Sequence, residues 1–173
     1  YSKENIDIIN NNNIRNVLYF PYIYNEDEIY NIVKKRNICM LHSDTDRRSK
    51  VMNEYFKNIK IDHVRGWNKT RDYTLFKYKI LLNISAKENY NIFESIRCYR
   101  CLFNKMIIIS EEKYKKELID YEHHIIFAKI EDIPEIINNV ISNYEFYYKK
   151  LDLDNINYKL NNHLIDLKKL LFI

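Results

Sequence analysis

The stretch "ILLNISAKENYNIFESIRCYRCLFNKMIIIS", residues 80–110, decides the fold. Its two ends, "ILLNIS" (80–85) and "MIIIS" (106–110), are short, nearly continuous apolar runs, the pattern of strands buried on both faces. The middle reads as a helix. At about 100° per residue, Ile92, Ile96, Tyr99 and Phe103 fall on one side, and Glu94, Arg97, Cys98 and Cys101 on roughly the opposite one. The first set is expected to meet a core, and the second carries an acid and a base. Asn91 and Glu94 have capping-box spacing, which would put Glu94 at the third helical position. Strand, helix, strand over 31 residues is one βαβ unit.

The same alternation extends in both directions. Upstream, "NVLYFPYIY" (16–24) reads as an extended segment that Pro21 demotes to an edge or linker. "NEDEIYNIVKK" (25–35) reads as a helix capped by Asn25, "NICMLH" (37–42) as a strand, and "DRRSKVMNEYFKNI" (46–59) as an amphipathic helix. "KIDHVRG" (60–66) is strand-like and ends at Gly66, the only glycine; "TRDYTLFKYK" (70–79) is a short helix. Downstream come a short helix "EKYKKELID" (112–120), a strand "HIIFAKI" (124–130), and a long helix over 132–151 with Asp132 as cap and Pro134 in its first turn. A last amphipathic helix, 154–171, places Ile156, Leu160, Leu164, Leu167 and Leu171 on one stripe. Short apolar strands separated by helices predict an α/β fold: a Rossmann-like three-layer sandwich on a mainly parallel sheet of five or six strands. The expected organisation is an Asn-rich segment (1–16), one Rossmann-like domain (17–151), and a C-terminal helix (152–173) packed on that domain or on a missing partner half.

The bulk numbers agree with one globular domain. The 173 residues suffice for a core without staples. The abundance of Asn, Ile and Lys, with sixteen Tyr, matches an AT-rich coding sequence and discounts the Asn run at 10–13 as a signal. A net charge of +4 points weakly to anionic ligands, and no basic block with interleaved aromatics suggests nucleic acid. No apolar run of about 18 residues exists, and the N-terminus lacks a signal-peptide core, so a cytoplasmic protein without a transmembrane segment is expected. The missing initiator Met suggests a fragment of a longer chain. Cys39, Cys98 and Cys101 are too few for a disulfide framework. The mid-helix Cys98-Tyr-Arg-Cys101 spacing supplies only two metal ligands and lacks the helix N-terminus that activates a redox thiol, so inert thiols are expected.

In open parallel sheets, ligands bind beyond the carboxyl ends of the strands. Four loops qualify: 42–50, 66–71, 85–94 and 110–112. In "HSDTDRRSK", Arg47, Arg48 and Lys50 sit in a first helical turn, where positive charge opposes the helix dipole by roughly 0.3–1 kcal/mol each. That placement makes sense if an anion such as phosphate also sits there; otherwise Asp44 and Asp46 neutralise the arginines locally. Asp44-Thr45-Asp46 is also a DxD triplet that could hold a divalent metal on a diphosphate, although Asp44 is equally a natural N-cap. Glu94 either completes its capping box or accepts hydrogen bonds from ribose or sugar hydroxyls, with Arg97 as a helix-face partner worth a few tenths of a kcal/mol. The five histidines are scattered, and a single glycine excludes a P-loop or a GxGxxG site.

These residues in this order resemble a known family. Arg47-Arg48 after the first strand, "VRGWNKTRD" (64–72), "KILLNIS" (79–85) and "YNIFESIRCYRCLFNKMIIISE" (90–111) are similar to the C-terminal, donor-binding half of GT-B glycosyltransferases, in the group 1 and spore-maturation-like branch. "PYIYNEDE" (21–28) resembles the segment before that half, and the similarity runs over about 17–150. The resemblance implies binding of a nucleotide diphosphate sugar. Glu94 would hold the ribose, Arg48 with Arg47 and Lys50 the diphosphate; Gly66 and Trp67 would lie near the base, and Glu111 would line the sugar pocket. It implies no required cofactor or metal, no identified catalytic residue in this half, and a missing N-terminal acceptor-binding domain or subunit. Two departures stand out: Ser85 replaces the histidine of an Asn-Ile-His pattern, and the Gly-rich turn before the glutamate is absent. The alternatives are a non-catalytic Rossmann-like interaction module and a DxD metal-dependent glycosyltransferase of the other fold.

Overall fold

The computed structural model describes residues 26–41, 43–89, 93–112 and 121–151, with positions 9, 11, 12, 165, 168 and 169. Five strands form one sheet: β1 (Arg36–Met40), β2 (Asp62–His63), β3 (Tyr78–Asn83), β4 (Ile107–Glu111) and β5 (Ile125–Ala128). Their order is β2-β1-β3-β4-β5, and every neighbouring pair is parallel. The fold is therefore α/β and Rossmann-like. Ile80 opposes Ile107 and Asn83 opposes Ser110, so the apolar runs of β3 and β4 lie in register and end together. β3 and β4, with β1, make the centre of the core: Ile38, Cys39, Met40, Ile80–Leu82 and Ile107–Ile109 are all buried.

The helices over 26–151 among the described residues are α1 (Asp46–Tyr55), α2 (Asn68–Leu75), α3 (Ser95–Phe103), α4 (Ile133–Ser142) and α5 (Tyr144–Lys149). Parallel neighbours need right-handed crossovers, and the chain reverses direction after β2, so α1 falls on one face of the sheet and α2 and α3 on the other. Asp72 of α2 receives a fork of hydrogen bonds from Arg100 of α3, 3.1 and 2.6 Å long, which joins those two on one face. α1 packs near the turn Ile130–Asp132 that leads into α4. No helix among the described residues is long and apolar enough to cross a membrane.

Four local expectations are corrected by tertiary contacts. First, of the helix expected over 25–35, the described residues 26–35 form none: a 3-10 turn, Glu26–Glu28, leads into a segment without regular structure. The Tyr30 N–H donates to Asn104 Oδ1 at 2.8 Å, and Lys34 Nζ donates to the carbonyls of Phe76 and Asn104, both at 2.7 Å. Those carbonyls cap the C-termini of α2 and α3, where a cation is favourable. Second, α2 spans 68–75 rather than 70–79, and the strand after it starts at Tyr78. Third, α3 begins at Ser95, so Glu94 is its N-cap residue and its side chain makes no capping bond.

The buried face of α3 is also wider than the expected one: Tyr99 and Phe103 lie on it as expected, and the two cysteines join them. Cys98, Tyr99, Cys101, Leu102 and Phe103 are buried, while Ile96 is 65% exposed. Tyr99 and Phe103 meet Tyr121 edge-on, with ring centroids at 4.8 and 5.7 Å, and Phe93 meets Tyr99 at 5.9 Å. Fourth, the helix expected over 132–151 breaks at Asn143 (φ −117°, ψ 33°), and Asp132 occupies its cap position without a side-chain bond; Pro134 does sit in the first turn. The expected elements at 16–24 and 112–120, except its first residue, lie outside the described residues, as does most of the helix expected over 154–171.

Candidate functional site

The chain moves from β1 to one side for β2 and returns to the other side for β3, so the topological switch lies between β1 and β3. In open sheets of this order a ligand crevice opens there, outside the carboxyl ends of the strands. The loop after β1 and the start of α1 form one wall. The segment after β3 and the start of α3 form the other. Thr45 ties them: its Oγ1 accepts from the Arg48 N–H at 3.3 Å, as an N-cap should, and donates to the Ala86 carbonyl at 3.3 Å.

Arg48 is the unusual residue of this crevice. It is only 3% exposed. Its Nε donates to the Ile84 carbonyl at 2.8 Å and its Nη1 to the Ser43 carbonyl at 2.9 Å, which fixes the guanidinium across the two walls. Its Nη2 finds no hydrogen-bond partner among the described residues and lies 3.7 Å from Glu94 Oε2. Burial pulls its pKa down from the usual arginine value; Glu94 opposes that, and the neighbouring Arg97 and Arg47 add to it. A buried donor left without an acceptor costs free energy, and such atoms cluster where a ligand completes the site.

Glu94 faces Arg48 from the other wall. Its Oε1 accepts from Arg97 Nη2 at 2.8 Å, and Arg97 Nη1 lies 2.6 Å from Oε2. Oε2 is sealed from solvent and lacks a well-aligned hydrogen bond, although the side chain as a whole is 23% exposed. Arg97 Nη1 also donates to Asn83 Oδ1 at 3.2 Å, and Asn83 Nδ2 donates to Ser110 Oγ at 3.1 Å. Asn83 and Ser110 are buried at the carboxyl ends of the two central strands. Neither Asn83 nor Ser110 was singled out from the sequence. The available signal was a polar residue ending each apolar run.

Arg47 is placed differently from its neighbour. Both of its terminal nitrogens bond the Glu111 carboxylate, and Nη1 also donates to the Ser85 carbonyl at 2.8 Å. The Ser85 N–H donates to Glu111 Oε2 at 3.1 Å. Arg47 and Glu111 thus form a largely enclosed bidentate pair that pins α1 to the ends of β3 and β4. Ser85 takes part through its backbone, which any residue offers. Lys50 is exposed on α1. Of the DxD triplet, Asp46 is exposed in the first turn of α1, and Asp44 pairs with Arg65 and lies 3.4 Å from His63 Nδ1.

Gly66 and Trp67 line a second hollow, a cavity of about 1080 Å³ between α2 and the β1–β2 edge, together with Lys35, Arg36, Lys60 and Arg65. Trp67 is 84% exposed, held outward between Gly66 (φ +97°) and Asn68 (φ +72°). The arginines of this cavity are matched: Arg36 bonds Tyr78, which bonds Asp62, Arg65 pairs with Asp44, and Arg71 with Asp72. Volume alone therefore does not mark the chemistry; Arg48 Nη2, a buried donor without an acceptor among the described residues, is in the crevice. The two hollows adjoin at the loop 43–45, through the Asp44–Arg65 pair.

Sequence comparison finds viral relatives. Uncharacterized protein L138 of Acanthamoeba polyphaga mimivirus is 35% identical over 134 residues, which cover 72% of this chain but 15% of that protein. Uncharacterized protein R358 of the same virus is 27% identical over 183 residues, covering 99% of this chain and 64% of its own length. Uncharacterized protein L140 is 27% identical over 158 residues, 84% of this chain and 51% of that protein. The chain thus spans only part of each of these relatives. No family model matches the sequence, and no solved structure matches it.

Proposed function

We propose that the chain is the donor-binding domain of a GT-B-type glycosyltransferase, gripping a nucleotide diphosphate sugar at the switch-point crevice. One observation carries this reading: Arg48, buried and short of one acceptor, meets Glu94 where the β1 and β3 loops converge. A guanidinium held rigidly by two carbonyls, its Nη2 closed to solvent, would set a fixed positive charge beneath a phosphate rather than hydrogen-bond it directly. Glu94, with a partly exposed carboxylate, can accept from a ribose hydroxyl. Exposed Lys50 adds charge for the diphosphate, and Gly66 and Trp67, in the adjoining cavity, would offer the base a surface.

Transfer would proceed by electrostatic stabilisation of the leaving diphosphate, without a covalent protein intermediate. Arg48 supplies that charge in a fixed, water-poor position. Arg47 contributes indirectly, because its guanidinium is committed to Glu111; together they hold the crevice walls in place. An acceptor-binding domain or subunit would complete the active site, in keeping with relatives longer than this chain. A DxD metal mechanism is less well supported, since the Asp44 carboxylate is already matched by Arg65.

A thermal-shift screen against UDP-, GDP-, CMP- and dTDP-sugars tests the reading. Stabilisation by one nucleotide class, abolished by Arg48→Met, is expected. Trp67 is the only tryptophan, so its fluorescence should change on the same titration. No shift with any of them would favour a non-catalytic interaction module instead.

A further inference from the structure

We infer that Arg97 is a positioning residue that turns Glu94 into a reader of a single ribose hydroxyl, so the site distinguishes a ribonucleotide donor from either its 2′-deoxy or its 3′-deoxy counterpart; this rests on the reading above. Three observations lead there. Arg97 straddles the carboxylate, with contacts at 2.8 Å to Oε1 and 2.6 Å to Oε2. Oε2 is sealed from solvent and faces Arg48 Nη2, so the acceptor a ligand reaches is Oε1. A carboxylate oxygen takes about two hydrogen bonds, and Arg97 occupies one of those on Oε1, leaving room for one hydroxyl.

Arg97 is itself held. Its Nη1 donates to Asn83 Oδ1, and Asn83 is anchored to Ser110. This chain of polar contacts runs through the buried ends of β3 and β4 and ends on the crevice acid. A surface ion pair three residues apart on a helix would need no such support. Without Arg97, the nearest cation to Glu94 is Arg48 at 3.7 Å, and the carboxylate would turn inward toward it. Oε1 would then no longer be presented to the sugar. Fixed first-contact groups backed by supporting hydrogen bonds are how sites obtain selectivity.

The test is the ratio of affinities for a ribonucleoside diphosphate and its 2′-deoxy and 3′-deoxy analogues. The probe is whichever of UDP, GDP, CDP and ADP binds most tightly by calorimetry. The wild type is expected to prefer the ribo form over one of the two analogues by about tenfold, the scale of a lost hydrogen bond to a charged acceptor. Arg97→Ala and Arg97→Gln should bring that ratio close to one, and Arg97→Lys should recover part of it. Arg97→Gln keeps most of the side-chain bulk if the alanine variant folds poorly. A general loss of structure would weaken all three ligands alike and leave the ratio intact. An unchanged ratio in the Arg97 variants overturns this inference, provided Glu94→Ala does remove it. If Glu94→Ala also leaves affinity and ratio unchanged, or none of the four nucleotides binds, the donor-site reading itself fails.

Discussion

Replacing Glu111 by Leu removes the acceptor of three hydrogen bonds, two from Arg47 and one from the Ser85 N–H. The side chains of the pair are only 14% and 5% exposed, so Arg47 would be left as a nearly buried, uncompensated charge. Breaking such a pair from one side typically costs about 3–5 kcal/mol. For a chain of this size each kcal/mol lowers Tm by roughly 2–4 °C, so a fall of about 6–20 °C is expected. Arg47→Met should cost a similar amount, because Glu111 then stands buried opposite an apolar group. The double variant should cost clearly less than the two losses added, since well-packed apolar residues can replace a buried pair nearly neutrally. Urea unfolding of the wild type, both single variants and the double variant gives the cycle. Single losses below about 1 kcal/mol, or simple additivity, would refute the clamp, for exposed ion pairs behave in that way.

Other outcomes follow from buried groups elsewhere. Burial lowers the Lys34 amine from 10.5 to about 8, against the raising effect of the nearby Cys101 and Cys39 thiols. Below pH 8 both folded and unfolded chains hold the proton and the burial cost is complete; between about 8 and 10.5 only the unfolded chain holds it. Wild-type stability relative to Lys34→Met should therefore rise across that window, by up to about 3 kcal/mol, and a flat difference would contradict it. Burial pushes the thiols of Cys39 and Cys98 well above their usual value and that of Cys101 to about 12. All three should resist a disulfide-exchange reagent at pH 8 in the native protein and react after unfolding, whereas fast native reaction of any one would show a misplaced core. Because the unfolded chain ionises these thiols first, their contribution to stability should also fade as pH rises above 9.

The sheet was legible because its strands are short apolar runs, a pattern set by burial on both faces. Runs such as Ile80–Leu82 and Ile107–Ile109 needed no distant information. The crevice was legible in part: Arg48 and Glu94 were both named from loop position and resemblance, and the fold brings them within 3.7 Å. What escaped was set by contacts between residues far apart in the chain. Nothing near Arg47 announces that its partner is Glu111, 64 residues away. The sequence 25–35 has helical acids and a cap, yet Lys34 is drawn to two helix ends and Tyr30 to Asn104, which leaves no helix over 29–35. The amphipathic reading of α3 held for Tyr99 and Phe103, which are buried, and missed that Cys98 and Cys101 are buried too while Ile96 is exposed. Arg97 looked like a surface partner until Asn83 and Ser110 appeared behind it.

Calorimetric titration of Glu94→Ala with a nucleoside diphosphate, beside the wild type, reaches the centre of the proposal most directly. The variant should bind at least about tenfold more weakly and stay folded; some fall in melting temperature is expected, because the side chain makes no capping bond but is the anionic neighbour of Arg97 and of buried Arg48. Equal affinities in the two proteins, or a melting temperature that falls with affinity unchanged, would mean that the acid serves the helix and not a ligand.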